Sequence, residues 1–196
     1  DLELFTETAL GIGEGQEYDM TFETRNDVTE NEYIEMIRLK TSVLLACALK
    51  TGALLADAPQ EDADRLYRVG EQVGLAFQLQ DDLLDVYGDP KVFGKAIGGD
   101  ITSNKKTYML INAYNRANDE QRKELEHWIG AKELDRQEKV AAVTRLYDAI
   151  GIRQLCEDKI NYYFQQASQT LSEVNVTDER KAQLRQYMDE LLHRNK

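Results

Sequence analysis

Two prolines and two cysteines are all that 196 residues hold of either, and each scarcity closes off a class of protein. Proline lacks an N–H and clashes inside a helix, so its near-absence leaves long stretches free to be helical. Pro59 and Pro90 both fall where other signals already mark a break. Cys47 and Cys156 stand far apart, with neither metal-finger nor redox-motif spacing, which excludes a disulfide scaffold and predicts reduced, buried thiols. No apolar run approaches the roughly 20 residues of a membrane span, so no stable membrane insertion is expected. The start shows no signal-peptide pattern, and the expected location is the cytoplasm. Nothing alternates like a strand for long. Positive charge is also short: a net charge of -12 repels polyanions on average, making nucleic acid and anionic membranes poor partners.

What is present suits a single all-α domain over residues 1–196. A hydrophobic content of 42% at this length is enough to bury one sizeable core. No repeat, low-complexity tract or linker interrupts it. The pattern predicts a first helix from Leu2 to Phe22, a polar loop around Arg25 to Val28, and a second helix capped by Thr29 with Glu32 completing a capping box. Gly52 should stop that helix. A third helix runs from near Pro59 to Tyr87, followed by a fifteen-residue loop with three glycines and Lys95. Further helices are expected at 104–116, 119–129, 134–150, 152–172 and from Thr177 to His193. The chain opens on an apolar helix at Asp1 without a cap, so it is expected to be incomplete at its amino-terminal side.

The densest chemistry lies in Phe77-Gln78-Leu79-Gln80-Asp81-Asp82-Leu83-Leu84-Asp85, within the third helix. Positions 78, 81, 82 and 85 follow the i, i+3, i+4, i+7 rule, which predicts one polar face bearing Gln78 and three aspartates. Carboxylates so close repel one another unless a cation joins them, and magnesium suits them because it combines protein carboxylates with waters and substrate phosphates. A solvated acidic face is the plain alternative. Lys95 in the glycine loop, and Lys105 with Lys106 at the next helix start, offer the opposite charge that a phosphate needs. Lys40-Thr41 places a lysine on an otherwise apolar face, where a lysine ordinarily snorkels to water. Gly15-Gln16-x-x-Asp19 puts two polar side chains near the end of the first helix. Asp81 and Asp85 are expected to face a cavity shared with Lys40 and Lys95.

Taken together, Phe77-Gln78-x-x-Asp81-Asp82-x-x-Asp85, Lys40-Thr41, Gly94-Lys95, Gly99-Asp100 and Lys105-Lys106-Thr107 resemble the trans-isoprenyl diphosphate synthases of the farnesyl and geranylgeranyl type. Gly15-Gln16 and the closing Arg194-Asn195-Lys196 resemble that family too. The resemblance implies the carboxy-terminal part of an isoprenoid synthase-type helical bundle. It implies a homodimer, dependent on Mg2+, that condenses an allylic diphosphate with isopentenyl diphosphate and releases diphosphate. By the same resemblance Asp81, Asp82 and Asp85 would serve the metal, Lys40 and Lys95 would clamp the allylic diphosphate with Lys105, and Arg194 would contact substrate. Thr41 and Gln78 would stabilise the developing carbocation. The family's first aspartate-rich motif and its basic isopentenyl diphosphate site are not found, since Asp81-Asp82 is the only Asp-Asp pair in these residues. These 196 residues alone are therefore expected to be inactive. A terpene cyclase and a non-catalytic partner subunit of a heteromeric synthase are the rival readings. Against the cyclase stands the aspartate motif itself, where such enzymes use an Asn/Ser/Glu triad.

Overall fold

The structure, a computed structural model, describes residues 2–93, 96–131 and 135–193. Among the described residues all regular structure is helical. Helix α1 (Leu2–Phe22) leads to α2 (Glu30–Ile37), a π-helical turn (Arg38–Ser42) and α3 (Val43–Leu55). The long α4 (Gln60–Tyr87) follows, then two single turns, α5 (Pro90–Phe93) and α6 (Gly99–Thr102). The chain ends on α7 (Tyr108–Arg116), α8 (Asp119–Gly130), α9 (Arg136–Ile150), α10 (Ile152–Ser172) and α11 (Asp178–His193).

Helix α4 is the axis of the molecule, with α3 packed along one side and α10 along another. Its apolar residues Val69, Ala76 and Leu79 are fully buried and meet a core that includes Met109, Leu125, Ile152 and Cys156. Both cysteines are buried and unbridged, as their spacing predicts. Thr29 and Glu32 form the expected capping box, with the Glu32 N–H donating to Thr29 Oγ1 at 3.2 Å and the Thr29 N–H to Glu32 Oε2 at 2.8 Å.

Three expectations need correction. Gly52 does not stop its helix; α3 continues to Leu55, since a single glycine costs a helix only roughly 1 kcal/mol and no left-handed residue follows it before Asp57. The stop comes instead at Asp57, whose φ of 53° is left-handed, just before Pro59. The loop after α4 contains α5 and α6. The next helix starts at Tyr108 rather than 104, since Asn104 takes a left-handed φ of 56° and Thr107 provides the cap, accepting from the Leu110 N–H.

The π turn is squeezed from two sides. A Cβ on Gly74 of α4 would lie 2.7 Å from Ser42 Cα, and one on Gly15 of α1 would lie 2.5 Å from the Lys40 nitrogen. Both obstructions are backbone atoms, so the helices touch main chain to main chain. This close approach sets where residues 38–42 stand relative to α4.

By contrast, a Cβ on Gly52 would meet nothing within 4 Å. Gly74→Ala should therefore destabilise the protein by about 1–3 kcal/mol through overpacking. Gly52→Ala should stabilise it by about 0.5–1 kcal/mol through helix propensity. Urea denaturation of the two variants checks the pair. Equal effects of the same sign would mean that the packing at Gly74 is looser than described.

Candidate functional site

Helix α4 presents its polar residues toward the π turn and toward the segment that ends in α6. Thr41, in the π turn, donates from Oγ1 to Gln78 Oε1 at 3.4 Å, and Gln78 Nε2 donates to Asp82 Oδ1 at 3.3 Å. The Tyr33 hydroxyl of α2 donates to the other oxygen, Asp82 Oδ2. A continuous line of hydrogen bonds thus joins the π turn to α2 through the buried Asp82.

Asp82 departs from the expected shared face. It is 2% exposed and points between α4 and α2, not outward with Asp81 and Asp85, which are half-buried. Successive residues on a helix turn by roughly 100°, so a stripe at 78, 81, 82 and 85 is broad enough to split between an inner and an outer edge. Burial pushes the Asp82 carboxyl up to about 7, against the opposing hydrogen bond from Tyr33 and the charge of Lys105. Burial, and then the charge of Asp82, raise the Tyr33 phenol, so Tyr33 remains the donor.

Asp85 faces the segment after α4. Its Oδ2 accepts the Asp100 N–H at 2.9 Å, and its main-chain carbonyl accepts the Gly98 N–H at 2.5 Å. Gly98 makes this turn with a left-handed φ of 80°, and a Cβ there would lie 2.6 Å from Val140. The turn carries Asp100 and Lys105 onto α4, with Lys105 Nζ 3.6 Å from Asp100 Oδ1. Burial works against the Lys105 charge, but the carboxylates of Asp100, Asp82 and Asp19 outweigh it and raise the ammonium above its ordinary value. The Asp100 carboxyl is raised as well, first by burial; Lys105 opposes the shift while Asp85 and Asp81 add to it.

Lys40, in the π turn, pairs with Asp19 of α1 at 2.5 Å. This contact assembles Lys40-Thr41 with the Gly15-Gln16-x-x-Asp19 segment, and the field of Asp19 reaches Lys105 as well. Lys95 and Arg194 lie outside the described residues. Sequence reasoning singled out Asp19 in Gly15-Gln16-x-x-Asp19 and Asp100 in Gly99-Asp100 without assigning either to the site, and passed over Tyr33. A tyrosine seven residues before Lys40 carries no charge signal, and its pairing with Asp82 depends on how α2 crosses α4.

Among the described residues no three carboxylate, cysteine or histidine groups converge as a closed metal centre. The donor chemistry nonetheless fits magnesium, a hard cation that takes one or two protein carboxylates and completes its shell with water and phosphate. Asp81 and Asp85 are oxygen donors four residues apart on α4, and their charges reach the Asp100 carboxyl, where a divalent cation would offset them.

The polyprenyl synthetase family profile matches residues 1–147. Geranylfarnesyl diphosphate synthase from Aeropyrum pernix is 37% identical over 194 residues, covering 98% of this chain and 59% of that protein. A crystal structure of geranylgeranyl pyrophosphate synthase superposes with a TM-score of 0.92 at 38% identity, over 99% of this chain and 60% of that one. Another, from Corynebacterium glutamicum in complex with isoprenyl diphosphate and magnesium, superposes with a TM-score of 0.88 at 29% identity, over 98% of this chain and 54% of that one. The fold is thus the all-α fold of the polyprenyl synthases. The chain belongs to the polyprenyl synthetase family. It spans about 59% of the length of the Aeropyrum relative.

The raised Asp82 carboxyl has a consequence for stability. Its folded pKa, about 7, lies above the ordinary carboxylate value of 3.8, so between these limits the folded state binds more protons than the unfolded state. The contribution of Asp82 is then fully present below pH about 4 and declines as pH rises toward about 7. Asp82→Asn should flatten that part of the stability profile. Thermal melts of both proteins from pH 4 to 8 check this, and an unchanged slope would mean that the carboxyl does not titrate there.

Proposed function

We propose that the chain is the carboxy-terminal part of a magnesium-dependent trans-prenyltransferase. The enzyme condenses an allylic diphosphate with isopentenyl diphosphate in isoprenoid biosynthesis and releases diphosphate. The observation that carries the reading is the convergence on α4 itself: the Asp100 N–H bonded to Asp85 brings Lys105 beside the aspartate motif, so carboxylates suited to a cation and an ammonium suited to an anion lie together.

In this reading Asp81 and Asp85 hold magnesium, with Asp82 supporting from behind through Gln78 and Tyr33. The bound metal supplies charge that stabilises the departing diphosphate. Lys40, Lys95 and Lys105 bind the same diphosphate, and their ammonium groups count most as negative charge develops on it. Thr41 and Gln78, already hydrogen-bonded to each other, turn oxygen atoms toward the allylic carbon as it becomes cationic. Arg194 is assigned to substrate contact by the resemblance of Arg194-Asn195-Lys196 to the family. Family membership and the similarity to relatives named as prenyl diphosphate synthases support the reaction class.

A homodimer is part of the same reading. It is supported by Leu2, Phe5, Leu10 and Met20, which stand 63% or more exposed on α1. A cytoplasmic location is consistent with two unbridged thiols. Among the described residues no helix is long and apolar enough to cross a membrane.

In the intact protein Asp81→Asn should lower turnover by about a hundred- to a thousandfold, the loss seen when one preorganised group that stabilises a transition state is removed. Incorporation of radiolabelled isopentenyl diphosphate into an allylic product measures this, with circular dichroism confirming an unchanged fold. Turnover within about twofold of the unmodified enzyme would remove Asp81 from the metal site and leave it a surface carboxylate.

A further inference from the structure

Lys139 of α9 is 6% exposed, an uncommon situation for a lysine, and among the described residues its ammonium hydrogen-bonds to neutral oxygens. Its ammonium donates to Asn104 Oδ1 at 2.6 Å and to the Thr102 carbonyl at 3.4 Å. Among the described residues it has no carboxylate partner within salt-bridge distance. Burying an ammonium group is costly unless its donors are placed.

Asn104 is unusual in turn. It takes the left-handed backbone region, and its side chain bonds in both directions: Oδ1 accepts from Lys139, while Nδ2 donates to the Ile129 carbonyl at 3.1 Å, near the end of α8. Residues 102–104 are thereby clasped to α8 and α9 at once. The next residue is Lys105, whose N–H is bonded to the Asp100 carbonyl at 3.0 Å. Asp100, Asn104, Lys105 and Lys139 all line one small pocket of about 10 Å3. The clasp and the candidate anion-binding lysine are therefore parts of a single packed unit.

We infer that Asn104 and Lys139 are positioning residues that clasp residues 98–107 to α8 and α9 and so aim Lys105 at a diphosphate bound beside Asp85. The inference rests on the reading of Lys105 as a diphosphate-binding residue. Asn104 fixes the backbone turn, and its amide is oriented by having the donor Lys139 on one side and the acceptor Ile129 carbonyl on the other. Without the clasp, Lys105 keeps its charge but loses its fixed direction.

The test uses the intact protein and three variants. Lys139→Met keeps an unbranched stem of similar bulk without the ammonium. Asn104→Gly keeps the left-handed turn without the side chain. Asn104→Asp tolerates the same turn and retains an acceptor for Lys139. Amide hydrogen exchange over residues 98–107 should accelerate about tenfold or more in Lys139→Met and Asn104→Gly, with α4 and α10 unchanged. Asn104→Asp, which keeps the acceptor for Lys139 but replaces the donor to the Ile129 carbonyl with an oxygen, should fall between Asn104→Gly and the unmodified protein. Affinity for inorganic diphosphate with magnesium, measured by calorimetry, should fall about tenfold in the first two variants, the scale of one charged hydrogen bond.

Exchange within twofold of the unmodified protein in both Lys139→Met and Asn104→Gly would overturn the clasp. Faster exchange with unaltered diphosphate affinity would overturn its role in aiming Lys105. Should Lys139→Met lose its fold, Asn104→Gly decides the matter by the same two measurements. If the unmodified protein bound no diphosphate, the prenyltransferase reading and the aiming of Lys105 would both fall, while the exchange data would still judge the clasp.

Discussion

The approach of α4 to the π turn, backbone against backbone at Gly74 and Ser42, is the constraint on which the rest of the site depends. It sets the reach between Thr41 and Gln78, and Gln78 in turn meets Asp82. Ser42 has no exposed surface, and among the described residues its hydroxyl has no hydrogen-bond partner, so close packing of the helices here outweighs a side-chain bond. An unsatisfied buried hydroxyl costs about 1–3 kcal/mol. A π turn also displaces the following residues by one position relative to an unbroken helix, and such bulges are common at functional sites.

Electrostatics make the second layer. A chain with net charge -12 gathers carboxylates on α4 and around it, then places lysines where the fields overlap. Lys40 pairs with Asp19 and Lys105 lies beside Asp100. Asp82 is sequestered from the outer pair and bonded to a tyrosine. The two adjacent aspartates, Asp81 and Asp82, thus occupy different environments although they neighbour each other in sequence.

Much of this was legible in the residues. The helical spacing of the aspartate motif, the capping box at Thr29 and Glu32, and the scarcity of proline led directly to the elements observed. The burial of Asp82 is not legible in the sequence, because periodicity specifies a stripe, not how far a neighbouring helix covers it. The start of α7 was misjudged because Lys105 and Lys106 resemble a helix start, whereas a left-handed Asn104 and the Thr107 cap delay it. The roles of Tyr33 and Lys139 could not be read at all, since each depends on a partner far along the chain: Asp82 for one, Asn104 for the other.

The Asn104 side chain ends on the carbonyl of Ile129, and the residue before it, Trp128, is the only tryptophan in the sequence. Its indole is partly buried against the core and meets the His127 ring edge-on at 5.4 Å. Emission excited through tryptophan therefore arises from one point on α8, next to the segment that carries Lys105. The protein holds a native optical probe at the place where that segment is fastened, and its signal needs no label.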